Sequence, residues 1–547
     1  MGRLPPVWSC FTPSQKHNII LYVWGIMMYK FGLEYFNGAF MTMANERFEQ
    51  ADRYQKMAIL TGVNYAAQGL GSIIIAPLVK RYPTRTVLSV GVMVFGFVSA
   101  AILVVDAVTG GAIKFNTPNN QTKYGRWNPN LLFPIFTAAG VSYGMIELIR
   151  KIIPRDIVGG DVDLLKRMDA MVHVLYEVAG TFAALTSSGL IDKLGYNYSS
   201  ILSPILFSAA ATIWFFIDPE RIAIDEEECP STSSTDEFKK DSNLIDNARK
   251  HASTSTAEHP HYHTSILESW FEALRSFAKA CYYGAWLCCT HRKFVWLVPS
   301  YALGLYAHRY LENGLIPMFS KLVLGESSYA QIIVGGSNAG ELLGALSVML
   351  ALHIFPTPIP WLRLDALLLN LVWVLPIFPV VRKQVSSAWK LAPCMIPISY
   401  GWAGGDCSLS AHIQAILARI EAKDEDVSSL GAVMAFLYIV YLVAYSIIST
   451  LMGRYVDARL NALGPSASPQ AESAEARSAL KLVAGLQFTL ISVVILASTF
   501  IPKGSKSWNP MKLDGQSFGK GHEHDDDEKP TTEKDSDKGQ LQLAVPI

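Results

Sequence analysis

The side chains able to do chemistry in this chain are ionisable groups set in apolar surroundings. Lys30 and Glu34 stand four residues apart in an apolar run that begins at Asn18. His308, Arg309 and Glu312 cluster in another run, with His308 and Glu312 at the same spacing. His173 and Glu177 repeat that spacing, with Tyr176 alongside. Residues four apart share one helical face, so each pair is expected to meet. Glu147 and Arg150 end a further run, and Glu341 lies inside one. Asp406 sits in the helix-weakening stretch Gly401-Trp402-Ala403-Gly404-Gly405-Asp406. A carboxylate beside His or Lys in poorly hydrated surroundings can titrate near neutrality and so carry a proton. Cationic Lys30 and Arg309 suit a carboxylate or phosphate on a solute. The competing use of every such pair is a structural lock between helices. The aromatic residues Tyr29, Tyr35, Phe36, Tyr306 and Trp402 are candidates for stacking on a planar solute or, equally, for plain core.

These groups need elements that hold them away from water. The chain has 547 residues, 50% apolar and only 17% charged, with zero formal net charge. A soluble chain carries about a quarter charged residues. Here much of the charge falls in 219–293 and 503–547. That pattern excludes an ordinary cytosolic enzyme and a disordered chain. With no basic excess to track phosphates, it excludes a nucleic-acid partner as well. A membrane span needs about 20 mostly apolar residues. Twelve runs qualify: 18–42, 57–79, 85–107, 130–150, 170–191, 198–217, 294–319, 329–352, 361–381, 391–416, 429–452 and 480–502. The expected fold class is therefore an all-α membrane protein. Twelve transmembrane helices form two pseudo-symmetric six-helix halves, 18–217 and 294–502. A charge inside a span is expensive and usually faces a cavity or a partner.

Residues 1–17 form a polar N-terminal tail without a cleavable signal pattern. Residues 218–293 separate the halves. The part from Glu226 to His263 is rich in Ser, Thr, Asp, Glu and Lys and is expected to be disordered. From Thr264 to Thr290, Trp270, Phe271, Leu274, Phe277 and Tyr282 recur at helical spacing, predicting an amphipathic helix on the membrane face. The tail 503–547 carries Asp525-Asp526-Asp527-Glu528 and reads as solvated. Loop Lys and Arg nearly balance between the two sides. The cations of 218–293 tip the count, which places both termini and this linker in the cytosol. Asn120 then faces outward or lumenally in the sequon Asn120-Gln121-Thr122 as a glycosylation candidate, while Asn197 lies too close to the membrane. The seven cysteines are irregularly spaced and imply no disulfide framework; Cys288-Cys289 is a candidate for palmitoylation or a pair of free thiols.

The halves repeat one another. Leu33-Glu34 and Asn37-Gly38 in span one echo Leu311-Glu312-Asn313-Gly314 in span seven. Thr61-Gly62-Val63-Asn64 echoes Gly335-Gly336-Ser337-Asn338 in span eight, and Ser142-Tyr143-Gly144 echoes Ser399-Tyr400-Gly401 in span ten. Glycines of spans two (Gly62, Gly69, Gly71) and eight (Gly335, Gly336, Gly340, Gly344) are expected at close helix contacts. On this architecture the chain resembles the major facilitator superfamily, in particular its twelve-span transporters of filamentous fungi. The family's signature after span two is approximated by Ala76-Pro77-Leu78-Val79-Lys80-Arg81-Tyr82-Pro83-Thr84-Arg85, which keeps Leu78, Arg81 and Arg85 but has Lys80 where the acid belongs. Gly189-Leu190-Ile191-Asp192-Lys193-Leu194-Gly195 reads like the signature but follows span five. The resemblance implies that the first and fourth helices of each half line a central cavity. That nominates Lys30, Glu34, His308, Arg309, Glu312 and Asp406 for solute binding or proton coupling, joined by His173 and Glu177. It also nominates Arg81, Arg85, Glu147 and Arg150 for gating.

Nothing in the sequence resembles a phosphate loop, a metal-binding set or a hydrolase elbow, so no enzyme, cofactor or metal is expected. The function expected is secondary active, proton-coupled transport of a small anionic or zwitterionic solute, by a monomer integral to the plasma membrane or an organelle such as the vacuole. Its partners are the solute, protons and the lipid bilayer. The second class is a receptor-like or scaffold protein that kept the fold and lost transport.

Overall fold

The computed structural model describes residues 11–113, 121–158, 162–218, 266–351, 354–421, 429–464, 466–511 and 513. The 226–263 stretch, Asn120 and the acidic tail lie outside them. Helices dominate; an antiparallel bridge joins Ala112 to Lys123. The first half comprises α1 (Pro13–Arg47), α2 (Arg53–Arg81), α3 (Thr84–Val108), α4 (Leu132–Val158), α5 (Val162–Leu194) and α6 (Leu202–Phe215). α7 (Ile266–Thr290) follows. In the second half α8 covers 297–324, α9 is Ala330–Ala351, α10 Ile359–Ile377, α11 Val385–Glu421, α12 covers 429–461, and α13 is Pro469–Ser498. α1 starts before the apolar run because Thr12 and Gln15 form a reciprocal cap and Pro13 opens the first turn.

Ten helices of the described residues are long and apolar enough to cross a membrane. The expected spans 294–319 and 391–416 are helical, as α8 and α11, but are not among the ten. The reason is chemical: α8 carries His308, Arg309, Glu312 and Asn313, and α11 is diluted by Lys390, Pro393, Pro397, Tyr400, Trp402 and the glycines before Asp406, so their mean hydropathy falls. α8 is also irregular, with π turns at Val298–Ala302, Leu311–Leu315 and Ser320–Leu324.

The two halves pack by one scheme. α1 lies against α5 and α6, α2 against α4, and α3 against α4 and α6. In the same order α8 lies against α12 and α13, α9 against α11, and α10 against α11 and α13. α5 meets α9, and α2 meets α12, across the seam between halves. Glycine makes the tight crossings possible: a Cβ on Gly71 would collide with the Val141 carbonyl in α4, and one on Gly340 with that of Ile396 in α11. Gly62 and Gly69 have more room.

One face, here called proximal, holds the start of α1 and residues 499–511. There each half is fastened by an arginine at the start of its third helix. Arg85 donates to the Ile217 carbonyl beyond α6, 2.6 Å away. Arg363, fully buried, donates to Thr499 Oγ1 (3.0 Å), Ser505 O (2.5 Å) and Trp508 O (3.0 Å) beyond α13. The two arginines are as far apart in sequence as Leu33 and Leu311. The first residues of the tail are thereby anchored at Ser505 and Pro510 while most of their side chains stay exposed, and Thr357 bonds the Pro510 carbonyl at 3.0 Å. The opposite, distal face holds the α1–α2 and α12–α13 connections.

α7 packs along α12 and α2. Gly284 presses against the Ala432 backbone, and Leu287 and Cys288 enter an apolar cluster with Phe294, Ile359 and Leu409. Phe271 and Tyr282 point outward, 72% and 77% exposed.

Candidate functional site

The seam between the halves gathers the charges. Lys30 Nζ and Glu34 Oε1 pair at 2.6 Å on α1, as their spacing predicts, and both residues are under a tenth exposed. Lys30 reaches α5 because Gly180 leaves it room: a Cβ there would collide with Lys30 Cε. Its ammonium sits 4.5 Å from the centre of the Tyr176 ring. The Arg150 guanidinium of α4 lies 4.3 Å from the same ring and pairs with Glu147 at 2.6 Å. Tyr176 is thus held by cations from two helices, each attracted to the ring's electron-rich face.

The second half supplies the opposing wall. Arg309 Nη1 and Glu312 Oε2 pair at 3.1 Å on α8. Glu312 Oε1 accepts from Ser337 Oγ of α9 at 2.8 Å, and Ser337 shares a 2.6 Å hydrogen bond with Ser399 of α11. Asn313 donates across the seam to the Tyr65 hydroxyl of α2 at 3.0 Å. Glu177 of α5 is within electrostatic reach of Lys30, Arg150, Glu312 and Arg309. Glu341 of α9 is within reach of Glu177, Glu312, Arg309 and Lys30. The carboxylates Glu34, Glu147, Glu177, Glu312 and Glu341 therefore face fewer cations, Lys30, Arg150 and Arg309. Oε2 of Glu177 and Oε1 of Glu147 are buried without a hydrogen-bond partner.

Two expected pairs are replaced. His308 does not meet Glu312; its Nε2 lies 2.9 Å from Asp365 Oδ1 of α10, and its ring stacks on Trp402 at 4.9 Å. Each side chain has a partner on another side of α8: His308 takes Asp365, and Glu312 takes Arg309 and Ser337, with α8 widening into a π turn at Leu311–Leu315. His173 turns towards α11, where its Nε2 is 3.9 Å from Cys407 Sγ and its acidic neighbour is Asp406 rather than Glu177. Tyr301 lies within electrostatic reach of Asp406. Arg81 is exposed at the proximal end of α2, and Arg85 is spent on the clasp to Ile217, so neither joins the cluster. Asp365, Ser337 and Arg363 escape sequence reading. Arg363 and Asp365 had the available signal, two charges inside the apolar run 361–381.

No family model and no curated protein matches the chain. Solved structures match it in fold. One, described as "Structural insights into substrate recognition in proton dependent oligopeptide transporters", aligns at TM-score 0.55 and 11% identity, over 88% of this chain and 98% of that one. A tetrameric PepTSo2 structure aligns at 0.54 and 12%, over 88% and 98%. A peptide transporter POT in complex with sulfate aligns at 0.52 and 11%, over 88% and 94%. These neighbours are proton-dependent oligopeptide transporters, which belong to the major facilitator superfamily. At such identities the likeness establishes a shared multi-pass membrane fold.

Proposed function

We propose that this chain is a secondary active transporter that moves a small solute by alternating access, with protons as the coupling ion. One observation carries the reading: a largely buried cluster at the seam of two like-packed halves in which carboxylates outnumber cations. Such a surplus in surroundings of low dielectric favours bound protons, and the seam is the surface that rearranges when halves rock. The activity printed for the structural neighbours supports it. In this reading all twelve runs cross the bilayer, the proximal face is cytosolic and the protein acts as a monomer. Lys30, Arg150 and Arg309 attract the negative group of an anionic or zwitterionic solute, a class that includes small peptides. Glu34, Glu177, Glu312 and Glu341 are the candidates that carry the coupling proton from one side of the membrane to the other.

The test is flux in sealed vesicles holding the purified protein, with and without an imposed pH gradient. The probes are a dipeptide mixture and pooled cell extract, read by mass spectrometry. Uptake that requires the gradient, and that Glu312→Gln abolishes while the protein stays folded, is the expected result. No movement of any probe in either gradient direction by correctly inserted protein overturns the reading.

A further inference from the structure

The start of α2 is capped by the wrong half of the molecule. A helix leaves its first amides without partners, and a nearby side chain ordinarily accepts from them. Asp52 stands at the capping position but makes no such bond; it pairs with Lys56 at 2.9 Å. The amides of Tyr54 and Gln55 donate instead to Oδ1 and Oδ2 of Asp457, at 3.1 and 2.8 Å. Asp457 belongs to α12 and is 3% exposed. Gly453, one turn earlier on α12, permits the approach, since a Cβ there would lie 2.7 Å from the Tyr54 carbonyl carbon. Asn461 adds a bond to the Ala51 carbonyl at 2.8 Å. The charged groups around Asp457 on the α2 side are Asp52 and Arg53.

Across the same distal face the grip is reversed. Asn45 of α1 donates to the Pro317 carbonyl of α8 at 2.9 Å, and Glu46 takes Lys321 and the Ser327 hydroxyl. Asp192, near the end of α5, is exposed and lies within electrostatic reach of Glu326, which stands at the start of the turn leading into α9; among the described residues, no hydrogen bond runs from Asp192 to that start. Two polar contacts across the seam nearer the proximal face are long, 3.9 Å for His173–Cys407 and 3.5 Å for Tyr438–Gln68.

We propose that Asp457 is the latch of the distal mouth, holding the halves together by capping α2 in trans, so that opening this mouth requires the carboxylate to leave the Tyr54 and Gln55 amides. Asp457 is a positioning residue and touches no solute. The inference rests on the transport reading only for the purpose that opening serves.

Hydrogen–deuterium exchange of the full chain in lipid nanodiscs tests it. In Asp457→Ala the amides of 53–57 should exchange about fivefold faster, the scale of one lost cap. Residues 81–88 and 214–218 at the proximal face should exchange more slowly, because releasing one mouth closes the other. Asp457→Asn, which keeps one acceptor, should fall between, and it serves if the alanine variant fails to fold. Faster exchange at 53–57 with unchanged or faster exchange at the proximal segments means an ordinary structural cap and overturns the latch, as does unchanged exchange at 53–57. No solute is involved, so reciprocal exchange without flux in vesicles would sink the transport reading and leave the latch standing. Flux without reciprocal exchange would do the opposite.

Discussion

Lys30 directs its ammonium at the face of Tyr176, 4.5 Å from the ring centre, while remaining paired with Glu34. One lysine thereby links α1 to α5, and Arg150 fixes the same ring from α4. A cation–π contact contributes about 0.5–2 kcal/mol. Tyr176→Phe keeps the ring face and should leave the KM for a transported probe within about threefold of wild type. Tyr176→Leu removes both contacts and should raise KM roughly tenfold. Vesicle uptake at several probe concentrations separates the two; equal values for Phe and Leu would show that the ring face has no part in binding.

The buried pair His308–Asp365 should behave as a structural unit. Removing one partner of a buried hydrogen-bonded pair leaves the other unsatisfied and costs about 1–3 kcal/mol, whereas replacing both with apolar residues can be nearly neutral. Asp365→Leu alone should lower the melting temperature of the detergent-solubilised protein markedly, and His308→Leu with Asp365→Leu should recover much of the loss. A double variant no more stable than the worse single one would show that the pair is not what fastens α8 to α10.

Close packing at the α9–α11 crossing should tolerate no side chain at Gly340. Gly340→Val forces a Cβ into the Ile396 carbonyl, and overpacking typically costs about 1–3 kcal/mol. The expected result is a lower melting temperature with a broadened elution profile. Gly69→Ala, at a site with open space, should be silent and serves as the control.

The adjacent thiols of α7 should differ in reactivity. Cys289 is exposed, and Cys288 is buried, its thiol pushed up to about 12 by burial and by Cys289 beside it. A raised thiol pKa leaves little thiolate at neutral or mildly alkaline pH, and the thiolate is the reactive species. Maleimide at pH 7.5 should modify Cys289 and spare Cys288 by peptide mass spectrometry. Equal modification of both would mean that the end of α7 lifts away from α12.

Sequence reading succeeded where helices are regular. Lys30 and Glu34 meet because α1 holds its turn without interruption, and each apolar run fell on a helix, although α5 and α13 start well before their runs and α4 and α12 end well after theirs. It failed where a partner comes from elsewhere. Four-residue spacing brings two Cβ atoms near each other but does not choose between Glu177 and the Cys407–Asp406 stretch for His173; packing of α5 on α11 makes that choice. Nor does spacing show that Asp365 of α10 claims His308 while Arg309 and Ser337 claim Glu312. Asp457 was invisible because its meaning lies in the uncapped start of α2, some four hundred residues earlier. The repeat between halves, by contrast, was legible from short matches, and the paired clasps of Arg85 and Arg363 extend it.

The His308–Asp365 bond also makes α8 and α10 a single mechanical part. Two residues from Asp365, Arg363 grips the backbone from Thr499 to Trp508. On the other side, Glu312 stands one turn from His308 and is bonded to α9. Buried polar contacts thus run from Glu312 through α8 and α10 to the strip of chain beyond α13, like a connecting rod between the seam and the proximal face.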